Sequence, residues 1–117
     1  MQDILTCAMG LDVHRDVIVA CLAKGELGTD PEIEIRSFST LIPEMRKLRD
    51  WVLEVDCHHV AMESTGIYWQ PIYEMLESCF DGQINILVVN ARHMKNVPGR
   101  KTDMRDAQWI ATLLRAG

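Results

Sequence analysis

With 117 residues, 48% of them hydrophobic and 25% charged, the chain suits one globular domain with a single core, residues 1–117, and is neither disordered nor fibrous. No apolar run approaches the ~20 residues of a membrane helix. The N-terminus MQDILTCAMG lacks the basic-then-apolar pattern of a signal peptide, so a cytoplasmic protein with no membrane attachment is expected. The net charge of −5 is unevenly spread: residues 1–91 carry six basic and fifteen acidic side chains, a balance of −9, whereas 92–117 carry six and two, +4. An acidic body therefore leads into a basic segment.

Ile4 to Leu11 and Val17 to Ala23 are nearly continuous apolar runs, which predict strands buried on both faces. The polar stretch Asp12-Val13-His14-Arg15-Asp16 between them predicts a turn and an antiparallel hairpin. Gly25, Gly28, Asp30 and Pro31 mark a second turn, after which Ile33 to Phe38 alternates as an edge-type strand. Ser39 or Thr40 can cap a helix with Pro43 in its first turn, and Leu41, Met45, Leu48, Val52 and Val55 follow on one helical face. His59 to Glu63 reads as a short strand, and Tyr68 to Phe80 as a helix with Ile72, Met75, Leu76 and Cys79 inward. Asp81-Gly82 ends that helix, and Ile84 to Val89 makes a fifth strand. Residues 91–101 form a basic connector, and a last helix starts at Thr102 with Ala107, Ile110, Ala111 and Leu114 on one side. The final Leu114-Arg115-Ala116-Gly117 closes nothing, which reads as part of a longer protein.

Three antiparallel strands followed by strand–helix units predict an α/β fold, a mixed five-stranded sheet flanked by helices. Right-handed crossovers bring the fourth strand beside the first, for a sheet order of 3-2-1-4-5. The cysteines Cys7, Cys21, Cys57 and Cys79 are widely spaced with no C-x-x-C pair, and read as small buried hydrophobes, not disulfides.

In that order, Asp12 and Glu63 fall at the adjoining C-terminal ends of two buried strands, where open α/β sheets collect ligands. An acid there is costly unless something positive meets it, although pairing with an arginine or capping a helix would also serve. Asp103 and Asp106 share a face of the last helix one turn apart, a placement the helix dipole alone would also favour. Together the four acids would form a self-repelling cluster that divalent cations relieve. Oxygen ligands select hard ions such as magnesium (Mg2+) or manganese (Mn2+), which suit in-line phosphoryl displacement. Cys57-His58-His59 leads into a strand whose side chains point apart, which argues against a zinc ligand set. Ser64-Thr65 lacks a general base and reads as helix-capping. His14 and Asp16 suit a site rim or a solvated turn equally, and Tyr68 and Trp69 suit base stacking or packing equally. Arg92, Lys95, Arg100, Lys101 and Arg105 put five cations within 14 residues, a pattern suited to holding a phosphate backbone without reading its sequence, or to a solvated loop.

Gly10-Leu11-Asp12-Val13-His14-Arg15-Asp16, Met62-Glu63-Ser64-Thr65-Gly66 with Tyr68-Trp69, and Lys101-Thr102-Asp103-Met104-Arg105-Asp106-Ala107 resemble, in that order, the N-terminal domain of the DEDD transposases. These are bacterial insertion-sequence recombinases related to the pilin-gene invertases. The resemblance covers essentially the whole chain. It implies a RuvC-like, ribonuclease-H-like fold in which Asp12, Glu63, Asp103 and Asp106 bind magnesium to cleave and transfer DNA strands. It further implies a C-terminal transposase domain supplying a catalytic serine, a homo-oligomer when full length and, in some members, a structured guide RNA. Two other readings are a non-catalytic nucleic-acid-binding or dimerising module and an actin-like nucleotide-binding domain. The latter usually has glycine two residues after its first Asp, where this chain has His14.

Overall fold

The structure, a computed structural model, describes residues 6–26, 28–64, 66–90 and 106–116. Five strands, β1 (Cys7–Val13), β2 (Val17–Lys24), β3 (Glu32–Ser39), β4 (His59–Ser64) and β5 (Asn85–Asn90), form one sheet in the order β3-β2-β1-β4-β5. The first three pair antiparallel, while β4 runs parallel to both β1 and β5. The order is the expected one. Its cause is visible in the chain: tight turns leave β1, β2 and β3 only hairpin pairing, while the helical crossovers carry β4 and β5 past β1.

Helix α1 (Ile42–Glu54) and helix α2 (Trp69–Leu76) cover one face of the sheet, and α3 (Asp106–Ala116) covers the other. Strand alternation divides the core accordingly. Met9, Leu11 and Val13 of β1, Ile18, Ala20 and Leu22 of β2 and Val60 and Met62 of β4 pack under α1 and α2 against Leu48, Val52, Ile72 and Leu76. The intervening residues face α3, where Cys21 and Ala23 meet Ala107 and Ala111. Small residues on both sides let α3 lie close to the sheet.

Several local expectations are corrected. β1 continues to Val13, so Asp12 stands inside the strand and not in the turn, because it pairs with Val19 of β2 and Glu63 of β4 at once. The turn shrinks to His14–Asp16, closed by the His14 N–H donating to the Val17 carbonyl at 2.9 Å. The N-cap of α1 is Leu41, without a side-chain cap bond; the Thr40 hydroxyl donates to the Arg15 carbonyl at 2.8 Å instead. Leu41 is 69% exposed, and the inward face of α1 uses Trp51 alongside Met45, Leu48 and Val52. Ser64 closes β4 as a buried residue, and the N-cap of α2 is Tyr68. α2 stops at Leu76, and a 3-10 turn, Cys79–Gly82, follows with Phe80 and Asp81 in the left-handed region (φ 54° and 56°). That turn lays Phe80 on His58, ring centroids 3.8 Å apart. The predicted helix start at Thr102 lies outside the described residues, as does the whole basic connector. The four cysteines are free thiols, as expected, and no helix among the described residues is long and apolar enough to cross a membrane.

Candidate active site

The parallel pairing of β1 and β4 sets Asp12 directly beside Glu63 as Cα partners. Residues facing each other in a parallel pair share a face of the sheet, and the face here is the one α3 covers, since Gly10 two residues earlier meets that helix. Glu63 is 3% exposed and Asp12 16%. Adjacent strands lie ~4.8 Å apart. Two acids on neighbouring strands in a sparsely hydrated corner favour positive charge nearby. His14, just past the strand end, brings its Nε2 within 3.0 Å of Asp12 Oδ2 and holds that carboxylate in one orientation.

α3 reaches this corner because Gly10 allows it. A Cβ on Gly10 would stand 2.2 Å from the Ala107 carbonyl oxygen and 2.6 Å from the Ala111 nitrogen, so the helix backbone rests on the glycine itself. At the other end of the helix, Arg115 Nη2 donates to the Gly25 carbonyl at 3.4 Å, and the Gly25 N–H donates to the Thr6 carbonyl beside the start of β1. α3 therefore runs antiparallel to β1, and its first residue, Asp106, lies at the end where Asp12 and Glu63 stand. The Asp106 side chain, Asp103, and all of Arg92, Lys95, Arg100, Lys101 and Arg105 lie outside the described residues. Among the described residues no group of three histidine, cysteine or acidic side chains gathers as a metal cluster.

Two features of the α3 packing were not read from the sequence. A glycine inside an apolar strand signals close backbone approach, and Gly10 carried that signal. Arg115, counted with the basic segment, belongs to α3, is buried, and bonds to the Gly25 carbonyl. The structure also separates Tyr68 from Trp69: Trp69 packs edge-on against Tyr73 at the margin of the core, while Tyr68 is 41% exposed.

A family model for transposases of the DEDD, IS110 type matches residues 9–117. The chain belongs to that transposase family. A search among curated proteins finds no match. Among solved structures, the fold is similar to the Fowlpox virus resolvase in complex with Holliday junction DNA (TM-score 0.64, 8% identity, 92% of this chain and 97% of that one). It is also similar to Thermus thermophilus RuvC (TM-score 0.57, 12% identity, 90% of each chain) and to that RuvC in complex with a Holliday junction (TM-score 0.56, 14% identity, 90% of each). The transposase domain thus has a RuvC-like, ribonuclease-H-like fold, as the sequence resemblance implied.

Proposed function

We propose that residues 1–117 of this transposase are its RuvC-like catalytic domain, which cleaves and transfers DNA strands through Asp12, Glu63, Asp103 and Asp106. The observation that carries the reading is the side-by-side placement of Asp12 and Glu63 on adjacent parallel strands, at the end of the sheet where α3 begins. Family membership favours this reading over a nucleotide-binding domain.

The donor set fits a hard divalent cation. Asp12 and Glu63 offer oxygen only and stand side by side, with Asp12 partly exposed, which suits magnesium or manganese better than softer metals. With Asp103 and Asp106 these two residues would hold the ions. When bound, such ions stabilise charge on the attacking and leaving oxygens of a phosphodiester. The chain's own groups do the rest. Glu63 anchors the site from within the sheet, His14 orients the Asp12 carboxylate, and Arg92, Lys95, Arg100, Lys101 and Arg105 hold the DNA backbone beside the acids. A C-terminal transposase domain with its serine, further copies of the protein and a structured guide RNA complete the recombinase in this proposal.

The test is recombination by the full-length protein carrying Asp12→Asn or Glu63→Gln. Loss of strand cleavage by at least about a hundredfold with DNA binding retained is the expected result. Recombination at the wild-type rate would refute the catalytic assignment. In parallel, Arg100→Ala/Lys101→Ala should weaken binding across all DNA sequences and lower the salt slope by about two.

A further inference from the structure

The hairpin after Asp12 and the loop after Glu63 do not end at the acids. Past Asp12 the chain reaches Arg15, and past Glu63 it reaches Ile67 and Tyr68. These two segments form the walls of a cleft of about 320 Å3 whose lining also includes Thr40, Gln70 and Pro71. The cleft opens at the same end of the sheet as the acid pair but towards α1 and α2, so it lies across the sheet edge from Asp12. Arg15 is three positions on from Asp12, so the two Cα atoms are at most ~10 Å apart.

Its chemistry is mixed in a specific way. Ile67 is 69% exposed and Tyr68 41%, an aliphatic and an aromatic surface left in water where Trp69, the next residue, is packed away. Arg15 stands at the rim and lines the cleft together with Tyr68. Its guanidinium binds Asp16 at 3.0 Å, an exposed pair that a phosphate can replace at small cost. The Thr40 hydroxyl bonds to the Arg15 carbonyl, which fixes the hairpin against the start of α1. Gln70 adds an amide with both donor and acceptor. Glu74 lies on the α2 side, which repels a phosphate from the interior and confines negative charge to the Arg15 rim. The volume is at the lower end for ligand clefts, enough for one flat heterocycle and too small for a duplex.

We propose that this cleft takes one unpaired nucleobase, stacked on Tyr68 with its phosphate on Arg15, from a DNA strand whose backbone continues over Asp12 and Glu63. The inference rests on the proposed DNA-cleaving function and adds to it a subsite for a splayed-out nucleotide. Stacking on an exposed aromatic ring tolerates any base, and Gln70 supplies what preference there is.

The test uses the full-length protein in EDTA, so that nothing is cut, and an oligothymidylate bearing a central 2-aminopurine. The wild type should quench the 2-aminopurine emission as the base stacks. Tyr68→Ala should abolish the quench and raise Kd by about tenfold with the salt slope unchanged, while Tyr68→Phe retains both quench and affinity. Arg15→Ala should raise Kd and lower the salt slope by about one. Tyr68 is a surface side chain, so an unchanged melting temperature verifies that Tyr68→Ala is folded. Quench and affinity equal to wild type in Tyr68→Ala would overturn the cleft assignment and leave DNA cleavage standing, with a protein segment as the cleft's remaining occupant. A wild type that binds no oligonucleotide at all would overturn both.

Discussion

Gly10 of β1 lies directly beneath the Ala107 carbonyl of α3, so close that no side chain fits between them. The glycine is needed for space and not for an unusual backbone angle, because it sits in a regular strand paired on both sides. The contact sets the height of α3 over the sheet and so the position of Asp106 relative to Asp12 and Glu63.

Gly10→Ala should therefore dislodge α3 while leaving the opposite core intact. The atoms in the way are backbone, so the strain belongs at or above the upper end of the ~1–3 kcal/mol typical of overpacking. Urea unfolding measures the loss. Hydrogen exchange locates it: amides of 106–116 should lose protection first, and unchanged protection there would mean the helix accommodates the methyl group.

Asp12→Asn removes one of two neighbouring like charges. Without metal the variant should melt higher than wild type, since the repulsion between Asp12 and Glu63 is relieved. With millimolar manganese the wild type should gain several degrees, as ~2.7 kcal/mol follows from a hundredfold excess over Kd, and the variant should gain much less. Equal manganese shifts in the two proteins would remove Asp12 from the proposed metal site.

Cys7 should be the first thiol to react. A hydrogen bond from Cys57 lowers its pKa to about 7, with help from Lys24 and against the effect of its own burial. Burial pushes Cys21 up to about 11, and the Cys7 contact and burial push Cys57 up as well. Iodoacetamide at pH 7 followed by peptide mapping should find Cys7 modified first, and Cys57→Ala should slow that reaction several-fold by raising its pKa. Uniform labelling of all four cysteines in the folded protein would contradict this.

His58 gives the domain a pH dependence. Hydrogen bonds to the Gln83 carbonyl at 3.0 Å and to Asp56 at 2.9 Å raise its pKa, and only the doubly protonated ring can donate both. The folded value lies above the unfolded ~6.5, so this contribution is whole below that pH and is lost as pH rises through the raised value. The difference in urea midpoint between wild type and His58→Gln should narrow from pH 6 to pH 8.5. Comparing the two proteins separates His58 from Cys7, whose lowered pKa acts in the opposite direction over the same range.

The sequence by itself determined the sheet order. Long apolar runs, a polar stretch at residues 12–16 and the handedness of crossovers leave β1 little choice but to lie between β2 and β4. Apolar periodicity also told which side of α3 faces the sheet, because Ala107, Ile110 and Ala111 recur at helical spacing and are buried. Where periodicity was ambiguous it misled: Leu41 continues the spacing of α1 yet is exposed, since it precedes the first helical residue and has no sheet beneath it. The acid pair shows what local pattern cannot supply. Asp12 and Glu63 are 51 residues apart in the chain, and a register slip of one residue would set Asp12 beside Met62 and turn the acids to opposite faces. Only the packing of two strands between two helical layers selects the register that joins them. Only the missing side chain at Gly10, read together with Ala107 across the interface, explains how α3 comes close enough to bring its first residue to the same corner.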